Sequence, residues 1–156
     1  MATITAALTV NSDVTDYGMV INKTMTMNKA DTALGIELTT GLAKRSFAAN
    51  TQVDLLTAGA GIAADVTASK AAKVYIKNVG TSSTDYFTIA FGNSSGSTTA
   101  TASNGDATAF QLGRLYGGDW MLIPWLAVST TGDITIMPSN ATTADPMHVE
   151  YMVFFE

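Results

Sequence analysis

Strict alternation of apolar and polar side chains, repeated along the chain, constrains this sequence more than any other feature. In KVYIKN (73–78), Val74 and Ile76 alternate with Lys73, Tyr75 and Lys77. In DYFTIAF (85–91), Phe87, Ile89 and Phe91 alternate with Tyr86, Thr88 and Ala90. A period of two with β-branched and aromatic residues puts one face of a strand against a core and the other toward solvent. The intervening VGTSST reads as a loop, so 73–92 is expected to be a hairpin at the centre of the fold.

The same pattern recurs about every ten residues. Residues 3–10 predict a strand with Ile4, Ala6 and Leu8 on one face. Tyr17 to Asn28 alternates over about 40 Å of extended chain, with Tyr17, Met19, Ile21, Met25 and Met27 on one face and Lys23 interrupting it. That length predicts two strands, a bent strand, or an arm reaching a neighbour. Leu34, Ile36 and Leu38 suggest another strand. Gly41–Asn50 carries helical potential, 52–56 a short strand, and 57–72 a weak helical turn at Asp65–Lys70. Asn93–Asp106 has no large apolar residue and predicts a surface loop. Strand returns at 107–112 with Phe110 and Leu112 inward, followed by a turn region at 113–119. WMLIPWLAV (120–128) is the most apolar run, and its Pro124 belongs on an edge, at a bulge or where the chain changes sheet. Ile134 and Ile136 mark a short strand, 139–146 a polar loop. The closing strand has Met147, Val149, Tyr151, Val153 and Phe155 on one face. About ten strands with no long helix predict an all-β, jelly-roll-like antiparallel β-sandwich. At 156 residues the prior is a single domain, 1–156, with residues 1–28 as the candidate arm.

Little in the sequence points to catalysis. No cysteine is present, which removes disulfides, thiolate metal sites and thiol nucleophiles. The one histidine, His148, has no second histidine to build a site with. Asp13, Asp16 and Asp119 read as turn residues rather than a calcium loop. The glycine-rich 58–65 lacks the Lys-Ser/Thr tail of a phosphate loop. No catalytic, cofactor or metal residues are assigned, and no cofactor is expected. Trp120, Trp125, Tyr116 and Tyr151 could line a sugar-binding face, but core or subunit-interface packing accounts for the two tryptophans better. Net charge is −5 and only 13% of residues are charged, a poor surface for nucleic acid. MATITAALTV has no basic start or apolar core of signal-peptide length, and no window spans a membrane. Low charge is read either as surface to be covered by other protein or as the hydroxyl-rich skin of a stable sandwich.

The second half carries a resemblance. KVYIKNVGTSSTDYFTIAFG, LGRLYGGDWMLIPW, GDITIMPSN and HVEYMVFFE, in that order over residues 70–156, resemble small β-rich virion structural proteins of tailed bacteriophages. The resemblance implies a non-enzymatic particle protein. The role favoured within that class is a capsid cement (decoration) protein on the phage head surface, with the major capsid protein as partner and a homo-oligomer, trimer or dimer, as its state. Ile4, Leu8, Met19, Met25, Met27, Lys44 and Arg45 are the interface candidates. A tail-tube, tail-adaptor or fibre subunit is the alternative in the same class. A carbohydrate-binding jelly-roll module is the alternative outside it, and a glycan-cleaving enzyme ranks last.

Overall fold

The structure, a computed structural model, describes residues 4–12, 19–27, 38–58, 72–92, 110–125 and 133–155. These residues form eleven strands. They are β1 (Ile4–Ser12), β2 (Met19–Met27), β3 (Leu38–Thr39), β4 (Ala43–Phe47), β5 (Val53–Leu56), β6 (Ala72–Asn78), β7 (Tyr86–Phe91), β8 (Phe110–Tyr116), β9 (Trp120–Trp125), β10 (Ile134–Pro138) and β11 (Met147–Phe155). The predicted strand at Leu34 and Ile36, the helical turn at 65–70 and the loop 93–106 lie outside the described residues.

Two antiparallel sheets face each other. One runs β5-β10-β7-β8. The other runs β3-β11-β6-β9, with β4 beside β3 along the same edge of β11. The pairing is nested: β4 with β11, β5 with β10, β6 with β9, β7 with β8. It is closed sideways by β6 with β11 and β7 with β10. That is one long antiparallel ribbon rolled up on itself, the eight-stranded jelly roll.

Alternation places the core between the sheets. Ala72, Val74 and Ile76 of β6 and Val149, Val153 and Phe155 of β11 point inward from one side. Phe87 and Ile89 of β7 and Ile134 and Ile136 of β10 meet them from the other. Phe87 packs edge-on against Phe47 with ring centroids 5.3 Å apart. Several buried polar groups between the strands are paired, as interiors require. Gln52 donates to Thr135 Oγ1 (3.2 Å), Thr135 to the Ala90 carbonyl (3.3 Å), and the Ala58 N–H to Asp133 Oδ1 (2.6 Å).

Four sequence expectations are corrected. The first concerns 73–92: β6 and β7 are strands with the expected faces, yet they lie in opposite sheets and do not pair. Both bury one face in the same core, and residues 79–85 cross between the sheets. The second concerns Gly41–Asn50, which is not helical. Ala43–Phe47 is a strand, because its backbone completes the open edge of β11 and Phe47 enters the core. The third concerns Phe110 and Leu112, which are not buried. They are 72% and 38% exposed, and Leu115 (7%) is the buried residue of β8. Ile89 pairs with Gly113 and Ala90 with Gln111, so Leu112 is an extra residue without a partner in β7, and Phe110 opposes Phe91 at the exposed start of β8. The fourth concerns 113–119, where strand continues through Tyr116 and only Gly117–Asp119 turn. Pro124 does lie on an edge strand of the described sheet, since among the described residues β9 pairs with β6 alone.

One end of the sandwich is tied by backbone rather than by side-chain bulk. Asn78 and Gly118 and then Ser82 and Gly117 are linked through main-chain bonds of 3.1 Å. An ideal Cβ at position 117 would lie 2.5 Å from the Ser82 carbonyl oxygen and 2.7 Å from the Ser82 nitrogen. Gly117→Ala is therefore expected to push the 79–85 crossing off the β8–β9 turn. The clash is with backbone, which has no rotamer to yield, so the cost is about 1–3 kcal/mol, the range for overpacking a close contact. Chemical denaturation of the variant checks it.

Candidate functional site

The outward face of the five-stranded sheet is more apolar than a solvent face needs to be. Register places Leu122, Tyr75 and Met152 in one row across β9, β6 and β11. Trp120, Lys77 and Glu150 form the next row, and Pro124, Lys73 and Phe154 the row on the other side. The Trp120 and Tyr75 rings are 6.3 Å apart. Trp120 and Trp125 have opposite parity in β9, so Trp125 is buried in the core (4%) while Trp120 stands half exposed (50%) on the outside.

The hairpin β1–β2 belongs to neither sheet. Its nine pairs run without a bulge from Ile4↔Met27 to Ser12↔Met19. Directly opposed residues share a face, so Ile4, Ala6, Leu8 and Val10 lie with Met27, Met25, Lys23 and Ile21. Thr5, Thr9 and Asn11 lie with Thr26, Asn22 and Val20 on the other. The hairpin is amphipathic, as the alternation in both segments predicts.

Between the hairpin and the outward sheet face lie two connected grooves. The larger, about 660 Å³, runs between Ala6, Leu8 and Met25 on one wall and Trp120 and Leu122 on the other. The smaller, about 380 Å³, is lined by Ile4 and Met27 against Tyr75, Lys77 and Phe154. The structure is tight at the second groove, where Met27 is 2% and Phe154 8% exposed. It is open at the first, where Leu8 (44%) and Met25 (39%) face Trp120 without covering it. Interiors pack without such voids, so this contact is an unfilled one.

The interface candidates separate on this framework. Ile4, Leu8, Met25 and Met27 come together at the grooves, although Met27 is already covered within the chain. Met19 occupies the far end of β2, opposite Ser12. Lys44 and Arg45 do not act as a pair. Lys44 is exposed opposite Glu150 on the outward face. The Arg45 guanidinium turns the other way, over the Phe47 ring at 5.2 Å, and Nη1 donates to the Asp54 carbonyl at 2.6 Å. Arg45 thus bridges β4 and β5 across the two sheets.

The four aromatic residues of a possible sugar face do not share a surface. Trp125 is in the core, Tyr151 packs against it, and Trp120 borders the groove. Tyr116 lies on the opposite sheet beside Tyr86 (5.3 Å), with Arg114 stacked 4.4 Å above Tyr86. Such cross-strand stacks stabilise sheets.

A polar groove of about 370 Å³ lies at the tied end of the sandwich, bordered by Asp85, Asn140, Asp145 and His148. Asn140 donates to Asp85 Oδ1 at 3.3 Å, and the buried His148 Nδ1 has no hydrogen-bond partner. Among the described residues no three His, Asp or Glu side chains converge on a metal-sized site, and no helix is long and apolar enough to cross a membrane. The arrangement offers strand edges and apolar walls for contact with polypeptide.

The residues that alternation alone missed are Tyr75, Trp120, Leu122 and Phe154. The parity difference between Trp120 and Trp125 was the available signal. No family model, curated protein or solved structure matches the chain.

Proposed function

We propose that this chain is a non-enzymatic structural protein of a tailed-phage virion, a cement (decoration) protein. It binds the outer face of the head and stabilises adjacent major capsid subunits. The observation that carries this reading is the amphipathic hairpin outside both sheets of the jelly roll, whose apolar wall leaves Leu8, Met25 and Trp120 uncovered. Val20, Leu42 and Phe110 are exposed as well, at 65%, 64% and 72%, on a chain with 13% charged residues. Apolar surface of this extent belongs against other protein. The resemblance of residues 70–156 to phage virion proteins supports the same class.

The mechanism is linkage. A protein that binds assembled shell but not free subunits stabilises the shell by RT ln(1 + [L]/Kd). That is about 2.7 kcal/mol per site when the free protein is at about a hundred times Kd. The hairpin would serve by strand addition to a neighbouring subunit, in which main-chain bonds supply affinity and alternate side chains supply specificity.

Adding purified protein to shells that lack it is expected to raise their disruption temperature, and deleting residues 1–12 to abolish the effect. Unchanged binding by the truncated protein rules out the hairpin as the clamp. Assembly of the purified protein into stacked rings or tubes favours a tail-tube role instead. The half-exposed Trp120 beside Tyr75 keeps a carbohydrate-binding module as the second reading. Silence on broad glycan arrays removes it.

A further inference from the structure

The large groove borders a strand edge as well as two apolar walls. Its β9 wall comprises the consecutive residues Trp120, Met121 and Leu122. Met121 packs against the core, so this wall includes the β9 backbone as well as outward side chains. Among the described residues β9 pairs with β6 only, and no described strand lies along its other edge. The facing hairpin has the same property on both of its sides, since among the described residues β1 and β2 pair only with each other.

Among the described residues the hairpin has few of the usual protections of an open edge. Neither strand contains a proline, the register has no bulge, and Lys23 is the sole charged residue of the two. A two-stranded hairpin is marginal by itself in water. The chain therefore carries both halves of a strand-addition contact: a donor with apolar side chains and a single charge, Lys23, and an acceptor edge flanked by Trp120 and Leu122. Within one chain the two halves lie close and leave the groove between them unfilled.

We propose that a second copy of this chain fills it: the hairpin of one copy seats on the β9 edge of another, extending the five-stranded sheet. A second copy is the occupant because one chain supplies both surfaces, so a two-fold or cyclic arrangement satisfies donor and acceptor in every copy at once. With one lysine among the strand residues, like-charge repulsion does not oppose the contact. Residues 28–37 join β2 to β3, and a segment of that length spans at most about 36 Å, enough to carry the hairpin to an adjacent molecule. The contact involves no shell protein, so it stands or falls separately from the cement reading.

The test uses purified full-length protein and the absence of native cysteine. Ala7→Cys and Leu122→Cys proteins, made separately and mixed under mild oxidation, are expected to give a disulfide-linked pair of the two species. The double variant is the companion sample. If its bond is wholly intramolecular and the mixture gives no cross-link, the hairpin seats on its own chain and the proposal is overturned. Sedimentation velocity is the second measurement. Self-association is expected, and Trp120→Lys, at a half-exposed position that leaves the core intact, should weaken it at least tenfold. A wild-type protein that is monomeric at all concentrations, or an oligomer indifferent to Trp120→Lys, overturns the proposal as well.

Discussion

Replacing Phe87 with alanine is expected to destabilise the protein by about 3–5 kcal/mol, the range for emptying a buried aromatic site. Phe87 is fully buried near the start of β7. Its ring meets Phe47 of the opposite sheet edge-on, so truncation removes an aromatic pair as well as apolar area. The neighbours Ile89, Ile136 and Val149 are β-branched and belong to strands held on both sides, so they cannot collapse into the space. For a chain of this length the loss corresponds to a melting shift of roughly 6–20 °C. Calorimetry of the variant measures it. A shift under about 2 °C would mean that Phe87 is not a core residue.

The second large effect is expected at Asn78. Its side chain follows Ala72, Val74 and Ile76 on the inward face of β6, at a place where an apolar residue would be expected. It is 1% exposed and bonds across the sandwich, donating Nδ2–H to the Leu115 carbonyl of the other sheet at 3.0 Å. Oδ1 accepts the Gly80 N–H at 2.9 Å, which fixes the start of the crossing between sheets. Asn78→Ala removes both bonds, and loss of the buried one to the Leu115 carbonyl costs about 1–3 kcal/mol, whereas the Gly80 N–H can turn to water. Asn78→Asp is a sharper probe. The carboxylate can keep the Gly80 bond but cannot donate to Leu115, and it adds a buried charge. It is expected to be at least as destabilising as alanine. Urea denaturation of both variants checks the order.

The strands themselves were legible because a sandwich strand has one wet face, and a period of two records that directly. β6, β7, β10 and β11 were read with the correct inward residues for this reason. Their partners were not legible. Alternation states which side chains are buried and is silent about which edge is paired. Residues 73–92 therefore look like a hairpin although the chain crosses from one sheet to the other between Asn78 and Tyr86. β4 was hidden by ordinary helix formers, Ala43, Lys44 and Arg45, which take strand geometry because the edge of β11 supplies their hydrogen bonds. The extra residue at Leu112 breaks the alternation of β8, and no local signal marks such a bulge.

The same limit applies to the candidate surface. Both hairpin strands and their apolar faces followed from residues 3–10 and 17–28. Their position over Tyr75, Leu122 and Phe154 did not, because these residues sit on the outward face of strands whose inward face dominates the pattern. Lys44 and Arg45 looked like a basic pair through adjacency, and adjacency in a strand is what sends two side chains to opposite faces.

The most direct measurement of the account is the location of the protein on its particle. A single cysteine introduced at Thr143, an exposed position in the loop before β11, gives a unique site for a gold label in a chain without native cysteine. Electron microscopy of labelled particles is predicted to show gold distributed over the outer face of the head. Label confined to the tail, or absent from the particle, would contradict the account.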